Sequence, residues 1–130
     1  MNTGTSLPHR ILVVEDDEDM RENLRRILVG AGYEVQLARN GVEAIEVLKE
    51  LRFHLVLTDL VMPGMGGLDL LGEIRRHEQN VPVIFLTAFG DRNTMVKATE
   101  KGAVDFLTKP FRAASLLGLI ERVLNCHSSR

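Results

Sequence analysis

Five short apolar stretches alternate along the chain with five stretches in which apolar residues recur at helical spacing. The apolar stretches predict β-strands at 10–14, 33–38, 54–58, 82–87 and 103–107. Segments such as ILVV and PVIFL contain no polar position, which is typical of parallel strands buried on both faces. The strict alternation therefore predicts an α/β domain in which helices cover both faces of one parallel sheet. Right-handed crossovers make such a sheet doubly wound.

The predicted helices begin and end at recognisable signals. Asn40 is the predicted N-cap of the second helix, and the sequence GAG at 30–32 ends the first. The fourth helix, at about 91–101, offers only three apolar residues between 95 and 98 as anchors. We expect it to be the least firmly held element.

Composition places the chain among globular domains. Its 130 residues, 45% hydrophobic and 26% charged, fit one domain, and we expect a flexible start at 1–9, a folded domain at 10–125 and a tail at 126–130. No apolar run is long enough to cross a bilayer and the start lacks signal-peptide features, so we expect a cytoplasmic protein without membrane contact. The net charge of −2 gives no reason to expect nucleic acid binding by this domain. A single cysteine, Cys126, excludes an internal disulfide.

Chemically capable side chains follow four of the predicted strands. They are Glu15 and Asp16 after the first strand, Asp59 after the third, Thr87 at the end of the fourth and Lys109 beyond the fifth. Ligands of doubly wound sheets bind beyond the carboxyl ends of the strands. We therefore expect these side chains to share one site.

Three carboxylates at one edge require a cation. Two like charges about 4 Å apart repel each other by about 4 kcal/mol at an effective dielectric constant of about 20. Oxygen ligands without His or Cys suit Mg²⁺, which also binds phosphate oxygens. Asp59, which precedes the turn-rich loop LVMPGMGG, is then placed to attack phosphorus and form an aspartyl phosphate. Lys109 and Thr87 would contact phosphoryl oxygens.

The motifs that contain these residues resemble those of two-component response regulator receiver domains. They are VVEDDEDMR, LVLTDLVMPGMGGLDLL, VIFLTAFG and GAVDFLTKPF, and the resemblance covers about Arg10 to Leu124. The spacings between the motifs are also similar to those of the family. The resemblance implies a (βα)5 flavodoxin-like fold with strand order 2-1-3-4-5.

The resemblance also implies a role for each site residue. Asp59 would be phosphorylated, and Asp16 would bind Mg²⁺ directly. Glu15, where many members have Asp, would act largely through a metal-bound water, and the backbone carbonyl of Val61 would complete the protein ligands. Lys109 and Pro110 match a peptide bond that is usually cis in the family.

Thr87 and Phe106 match the switch pair of the family, in which the hydroxyl moves toward the phosphoryl group and an aromatic ring turns inward behind it. A plain core role for Phe106 is the alternative. The predicted moving face comprises the fourth helix, the fifth strand and the fifth helix, with Lys97, Lys101, Arg112 and Leu119 on or near it.

Two frames are possible for the acidic pair, because Asp17 follows Asp16. Family members place an apolar and a basic residue four and five positions after the direct ligand, and Met20 and Arg21 fit that spacing from Asp16. Asp17 is then the predicted N-cap of the first helix.

The sequence also departs from the family. Gly66 stands where an Asp is common, which should make the loop less fixed. Val61 and Phe89, two residues after Asp59 and Thr87 respectively, are apolar and cannot orient an attacking water. We therefore expect slow autodephosphorylation.

The resemblance implies a sensor histidine kinase or a histidine phosphotransferase as phosphodonor, with an output domain or protein downstream and a possible homodimer on phosphorylation. The sequence leaves open whether the receiver acts alone or within a longer regulator. Two further alternatives are a magnesium-dependent phosphohydrolase and an unphosphorylated interaction module. The phosphohydrolase would need a general acid near Asp59, and Val61 supplies none. The intact set of site residues argues against the interaction module.

Overall fold

The protein is described by a computed structural model that covers residues 8–77, 80–88 and 92–128. Within those ranges five strands alternate with five helices. The elements are β1 Arg10–Val14, α1 Glu18–Gly30, β2 Glu34–Ala38, α2 Gly41–Glu50, β3 Leu55–Asp59, α3 Gly67–Arg76, β4 Val83–Thr87, α4 Arg92–Glu100, β5 Asp105–Thr108 and α5 Ala113–Ser128. All strand pairs are parallel and the order is β2-β1-β3-β4-β5, which confirms the expected fold.

Alternate residues of each central strand enter different halves of the core. Ile11 and Val13 of β1 pack with apolar side chains of α1 and α5, whereas Leu12 and Val14 pack with those of α2, α3 and α4. Each fully buried side chain of this size contributes about 1.5–3 kcal/mol to folding. Because successive side chains of a strand point to opposite faces, helices pack on both faces of the sheet. This packing fixes the position of the carboxyl ends of β1, β3 and β4.

Two helices end at glycines with positive φ. Gly32 (φ 97°) follows α1 and Gly102 (φ 107°) follows α4. In each case the next residue donates its amide back into the helix, Tyr33 to the Leu28 carbonyl and Ala103 to the Ala98 carbonyl. This pairing is the Schellman motif, which favours glycine at the left-handed position.

Four strands begin later than predicted: β3 begins at Leu55 instead of residue 54, and β4 at Val83 instead of residue 82. The late starts of β2 and β5 follow from the two helix ends at glycine. The second strand begins at Glu34 instead of residue 33, and the fifth begins at Asp105 instead of residue 103. The amides of Tyr33 and Ala103 close the preceding helices and are therefore unavailable to the sheet. Strand propensity does not predict whether a backbone amide bonds to the preceding helix or to the sheet.

Both predicted N-caps are confirmed. The Asp17 side chain accepts a hydrogen bond from the Met20 amide, and Asn40 accepts one from the Glu43 amide. Glu18 and Asp19 lie in the first turn of α1, where negative charge opposes the positive end of the helix dipole. These contacts stabilise the first turn of α1.

Helix α4 has a small buried face. Of its described side chains Ala98 is buried, while Val96 is 56% exposed. Lys97, Lys101 and Arg112 are exposed as expected, but Leu119 of α5 is buried. Leu119 is therefore a core residue that also borders this face, since it lines a surface cavity between β5 and α5.

None of the helices in the described part of the chain is long and apolar enough to span a bilayer. Cys126 is exposed near the end of α5. Residues 1–7 of the predicted flexible start and residues 129–130 of the predicted tail lie outside the described residues. Residues 126–128, also part of the predicted tail, belong to α5.

Candidate functional site

The carboxylates predicted to share a site lie together at the carboxyl edge of the sheet. Val14 of β1 pairs with Thr58 of β3, so the residues that follow them are neighbours. Glu15, Asp16 and Asp59 each offer an oxygen within 4.8 Å of the others. Two segments separated by more than 40 residues thus form one cluster of acidic oxygens.

The three carboxylates differ in their access to water. The Glu15 side chain is 1% exposed, that of Asp59 is 13% exposed, and Asp16 is exposed. Burial raises the pKa of Glu15, and the negative charge of Asp59 raises it further, against the lowering effect of an Asp17 backbone hydrogen bond and the Lys109 ammonium. A buried negative charge at this position therefore favours the approach of a cation.

Lys109 contacts two of the three carboxylates. Its Nζ lies 3.2 Å from Glu15 Oε1 and 3.2 Å from Asp59 Oδ2. Burial alone would lower the pKa of Lys109, but the charges of Asp59 and Glu15 outweigh it and hold that pKa above its ordinary value. The ammonium is therefore a fixed positive charge at the site at neutral pH.

Glu15 is held by hydrogen bonds along its whole length. Its amide donates to the Ala38 carbonyl, and its Oε2 accepts from the Asp17 amide at 3.1 Å. Its carbonyl accepts from Arg21 Nη1 at 2.9 Å. The Asp17 carboxylate is engaged at the start of α1, so Asp16 and not Asp17 enters the cluster.

Thr87 is the last residue of β4 and is 4% exposed. Leu86, which precedes Thr87, pairs with Asp59 of β3. The Thr87 carbonyl accepts a hydrogen bond of 2.7 Å from the Lys109 amide. The backbone therefore places Thr87 beside both Asp59 and Lys109. The peptide bond between Lys109 and Pro110 is cis, as the resemblance implied.

Phe106 is half-buried on β5 and pairs with Phe85 of β4. The two rings stack with centroids 6.0 Å apart and planes inclined by 24°. Phe106 also lines a surface cavity of about 260 Å³ with Met95, Val96 and Thr99 of α4. The ring therefore packs against the core and borders the cavity beside α4.

The loop after Asp59 packs closely against the site at Gly67. A Cβ at this position would lie 2.7 Å from the Asp59 carbonyl oxygen and 2.7 Å from Cε1 of Phe85. The Gly67 amide also donates to the Leu60 carbonyl. Side chains larger than hydrogen are thus excluded where α3 begins.

Val61, by contrast, is 77% exposed in the same loop. Phe89, the other apolar residue behind the prediction of slow autodephosphorylation, lies outside the described residues.

Sequence reasoning missed two contributors to the site. At the level of sequence, Arg21 served only to choose between the two frames of the acidic pair. Its guanidinium in fact donates hydrogen bonds to the Glu15 and Asp16 carbonyls. Gly67 was recognised only as part of the turn-rich loop after Asp59. In both cases the residue type was visible, but the partner was set by the tertiary fold.

Comparison with known proteins identifies the family. A family model described as the response regulator receiver domain matches residues 11–121. The chain belongs to this family. A receiver is a signalling domain and not a catalytic domain, which excludes the phosphohydrolase alternative.

Curated relatives are similar over most of the receiver. Response regulator protein FleR of Pseudomonas aeruginosa is 42% identical over 113 residues, which is 87% of this chain and 24% of FleR. DNA-binding transcriptional regulator NtrC of Escherichia coli K12 is 39% identical over 115 residues, 88% of this chain and 24% of NtrC. Response regulator MprA of a Mycobacterium species is 39% identical, with 51% of MprA covered. This chain therefore spans from about a quarter to about half of the length of these relatives.

Solved structures show the same receiver fold. The chemotaxis protein CheY4 of Vibrio cholerae has a TM-score of 0.87 at 30% identity, covering 90% of this chain and 99% of that one. NtrX of Brucella abortus has a TM-score of 0.87 at 34% identity, covering 92% of this chain and 27% of that one. Similar receivers thus occur both alone and within longer chains.

Proposed function

We propose that this receiver accepts a phosphoryl group on Asp59 in a Mg²⁺-dependent transfer from a sensor histidine kinase or a histidine phosphotransferase. The observation that carries the proposal is the convergence of Glu15, Asp16 and Asp59 within 4.8 Å, with Lys109 Nζ 3.2 Å from two of them. Receivers pair with histidine kinases, which supports this class of donor.

The donor set fits a magnesium ion. It consists of carboxylate oxygens, one of them almost fully buried, without nitrogen or sulfur ligands. We assign Asp16 and Asp59 as direct ligands, Glu15 as a ligand acting largely through water, and the Val61 carbonyl as the remaining protein ligand. When bound, the ion neutralises charge on the transferring phosphoryl oxygens.

The residues of the chain divide the transfer between them. A carboxylate oxygen of Asp59 forms a bond to phosphorus while the bond from phosphorus to the donor histidine nitrogen breaks, and the nitrogen keeps the electron pair. Lys109 compensates charge on one phosphoryl oxygen, and Thr87 donates a hydrogen bond to another. Lys109 Nζ lies 3.2 Å from Asp59 Oδ2, and Thr87 follows Leu86, the strand partner of Asp59, which supports these two roles.

The phosphoryl group would then bias the face formed by α4, β5 and α5. Thr87 and Phe106 form the proposed switch pair, since Phe106 stacks on the Phe85 ring and lines the cavity beside α4. The small buried face of α4 makes a second arrangement accessible at low cost. A downstream output domain or protein would recognise this face, and a homodimer on phosphorylation is one form that recognition could take.

The direct test is labelling by a small phosphodonor. Wild-type protein is incubated with acetyl phosphate and Mg²⁺, and its intact mass is measured. We expect one phosphoryl adduct that is absent in Asp59→Asn and in wild type treated with EDTA. An equal adduct on wild type and Asp59→Asn would overturn the assignment of Asp59.

A further inference from the structure

Arg21 binds the backbone of the acidic pair. Its Nη1 donates to the Glu15 carbonyl at 2.9 Å and, in a longer contact, to the Asp16 carbonyl at 3.5 Å. Arg21 is the fourth residue of α1 and is half-buried. One guanidinium therefore spans the turn between β1 and α1.

These two carbonyls lie where the sheet no longer provides donors. The ladder of β1 ends at Val14, and the Glu15 amide makes the next hydrogen bond, to Ala38. Among the described residues no backbone amide donates to the Glu15 or Asp16 carbonyl. Arg21 supplies the hydrogen bonds that the sheet and the helix leave unmade.

The position of the Asp16 carboxylate depends on the backbone more than the position of the Glu15 carboxylate does. The Glu15 carboxylate is held directly by the Asp17 amide and by Lys109. The Asp16 carboxylate is exposed and accepts no hydrogen bond from the described residues. The direction of Asp16 is therefore set by the path of the chain between β1 and α1, which Arg21 fixes.

We propose that Arg21 is a positioning residue that raises Mg²⁺ affinity by fixing the direction of Asp16. This inference rests on the proposed function of the site. Its electrostatic effect has the opposite sign, because a guanidinium near the site repels a divalent cation. Removal of Arg21 therefore separates the two effects: loss of positioning weakens Mg²⁺ binding, whereas loss of charge alone strengthens it.

The test compares Arg21→Met with Arg25→Met. Arg25 lies on the same helix and pairs with Glu22 at the surface, so its removal makes the same charge change without touching the turn. Mg²⁺ affinity is measured by isothermal titration calorimetry. The initial rate of acetyl phosphate labelling is followed by intact mass over a range of Mg²⁺ concentrations, and unfolding in EDTA reports stability. Arg21→Gln is measured in the same way if Arg21→Met does not fold.

We expect the dissociation constant for Mg²⁺ to rise about tenfold in Arg21→Met and to change little in Arg25→Met, as for other residues that orient metal ligands. The labelling rate at saturating Mg²⁺ should remain close to that of wild type, a pattern that general destabilisation would not produce. Unchanged or tighter Mg²⁺ binding in Arg21→Met would overturn the inference while leaving the proposed function intact. Wild type that neither binds Mg²⁺ nor becomes labelled would overturn both.

Discussion

The ammonium nitrogen of Lys109 lies 3.2 Å from Oδ2 of Asp59, and it also contacts Glu15. Lys109 thus separates two carboxylates that would otherwise face each other, one of them almost fully buried. The contact has consequences for stability as well as for phosphoryl transfer. Neighbouring carboxylates that lack a cation must either bind a proton or repel one another.

The first prediction concerns Lys109→Gln. In EDTA this change should lower the free energy of unfolding by about 1–2 kcal/mol, since it leaves neighbouring carboxylates without their partner in a partly buried site. Mg²⁺ should restore part of the loss. Urea unfolding with and without Mg²⁺ measures both effects. Lys101→Gln, at an exposed position, is the control, and equal losses in the two variants would contradict the prediction.

The second prediction separates Asp16 from Asp17. Asp16→Ala should reduce Mg²⁺ affinity far more than Asp17→Ala, because Asp16 lies in the carboxylate cluster while Asp17 caps α1. Asp17→Ala should instead lower stability by about 1 kcal/mol through loss of the cap. Calorimetric titration with Mg²⁺ and urea unfolding in EDTA provide the two readouts. The reverse order of Mg²⁺ affinities would show that Asp17 is the direct ligand.

The third prediction uses two glycines of α3. Gly67→Ala should lower the free energy of unfolding by about 1–3 kcal/mol, because the added methyl group overlaps the Asp59 carbonyl oxygen and the Phe85 ring. At Gly72 nothing lies within 4 Å of an added Cβ, so Gly72→Ala should be stabilising by about 0.5–1 kcal/mol. Chemical unfolding of both variants checks this contrast, and a neutral Gly67→Ala would refute the close packing at that position.

The fourth prediction concerns acid stability at the opposite edge of the sheet. His54 Nδ1 accepts a hydrogen bond of 2.8 Å from the Arg10 amide. Partial burial and the nearby charges of His9 and Arg10 lower the pKa of His54. The folded state therefore binds fewer protons than the unfolded state, so this contribution to stability is present above about pH 6.5 and is lost as the pH falls through the lowered pKa.

His54→Asn tests this sign, since an Asn side chain can accept the same hydrogen bond without titrating. Wild type should lose stability relative to His54→Asn as the pH is lowered from neutral, as measured by urea unfolding across a pH series. A difference that does not change with pH would contradict the prediction.

The fifth prediction concerns the lifetime of the phosphoryl group. Val61, two residues after Asp59, is largely exposed, and its side chain has no polar atom that could orient a water. We expect the adduct on purified protein to decay over minutes or longer in Mg²⁺, followed by intact mass after removal of the phosphodonor. A half-life of seconds would contradict this expectation. Decay in EDTA is the control for hydrolysis that does not depend on the metal.

The order of the elements and the carboxylate cluster of Glu15, Asp16 and Asp59 followed from local patterns. Continuous apolar stretches and helical apolar spacing placed five strands and five helices, and the carboxylates at the strand ends indicated the edge of the sheet that carries the site. Strand boundaries were less predictable. Tyr33 and Ala103 have strand-like neighbours, yet their amides close α1 and α4. Competition between a helix cap and a sheet ladder depends on where the backbone turns, which residue type alone does not reveal.

By itself the sequence determined the alternating architecture, the acidic and basic residues available at the strand ends, and the Asp17 and Asn40 caps, because all of these depend on neighbours a few residues apart. Only the tertiary structure decided how those residues act on one another. The burial of Glu15, the two contacts of Lys109 and the hold of Arg21 on the acidic turn all arise from strands brought side by side. Contacts of this kind depend on distances across the sheet, and the order of residues along the chain does not specify those distances.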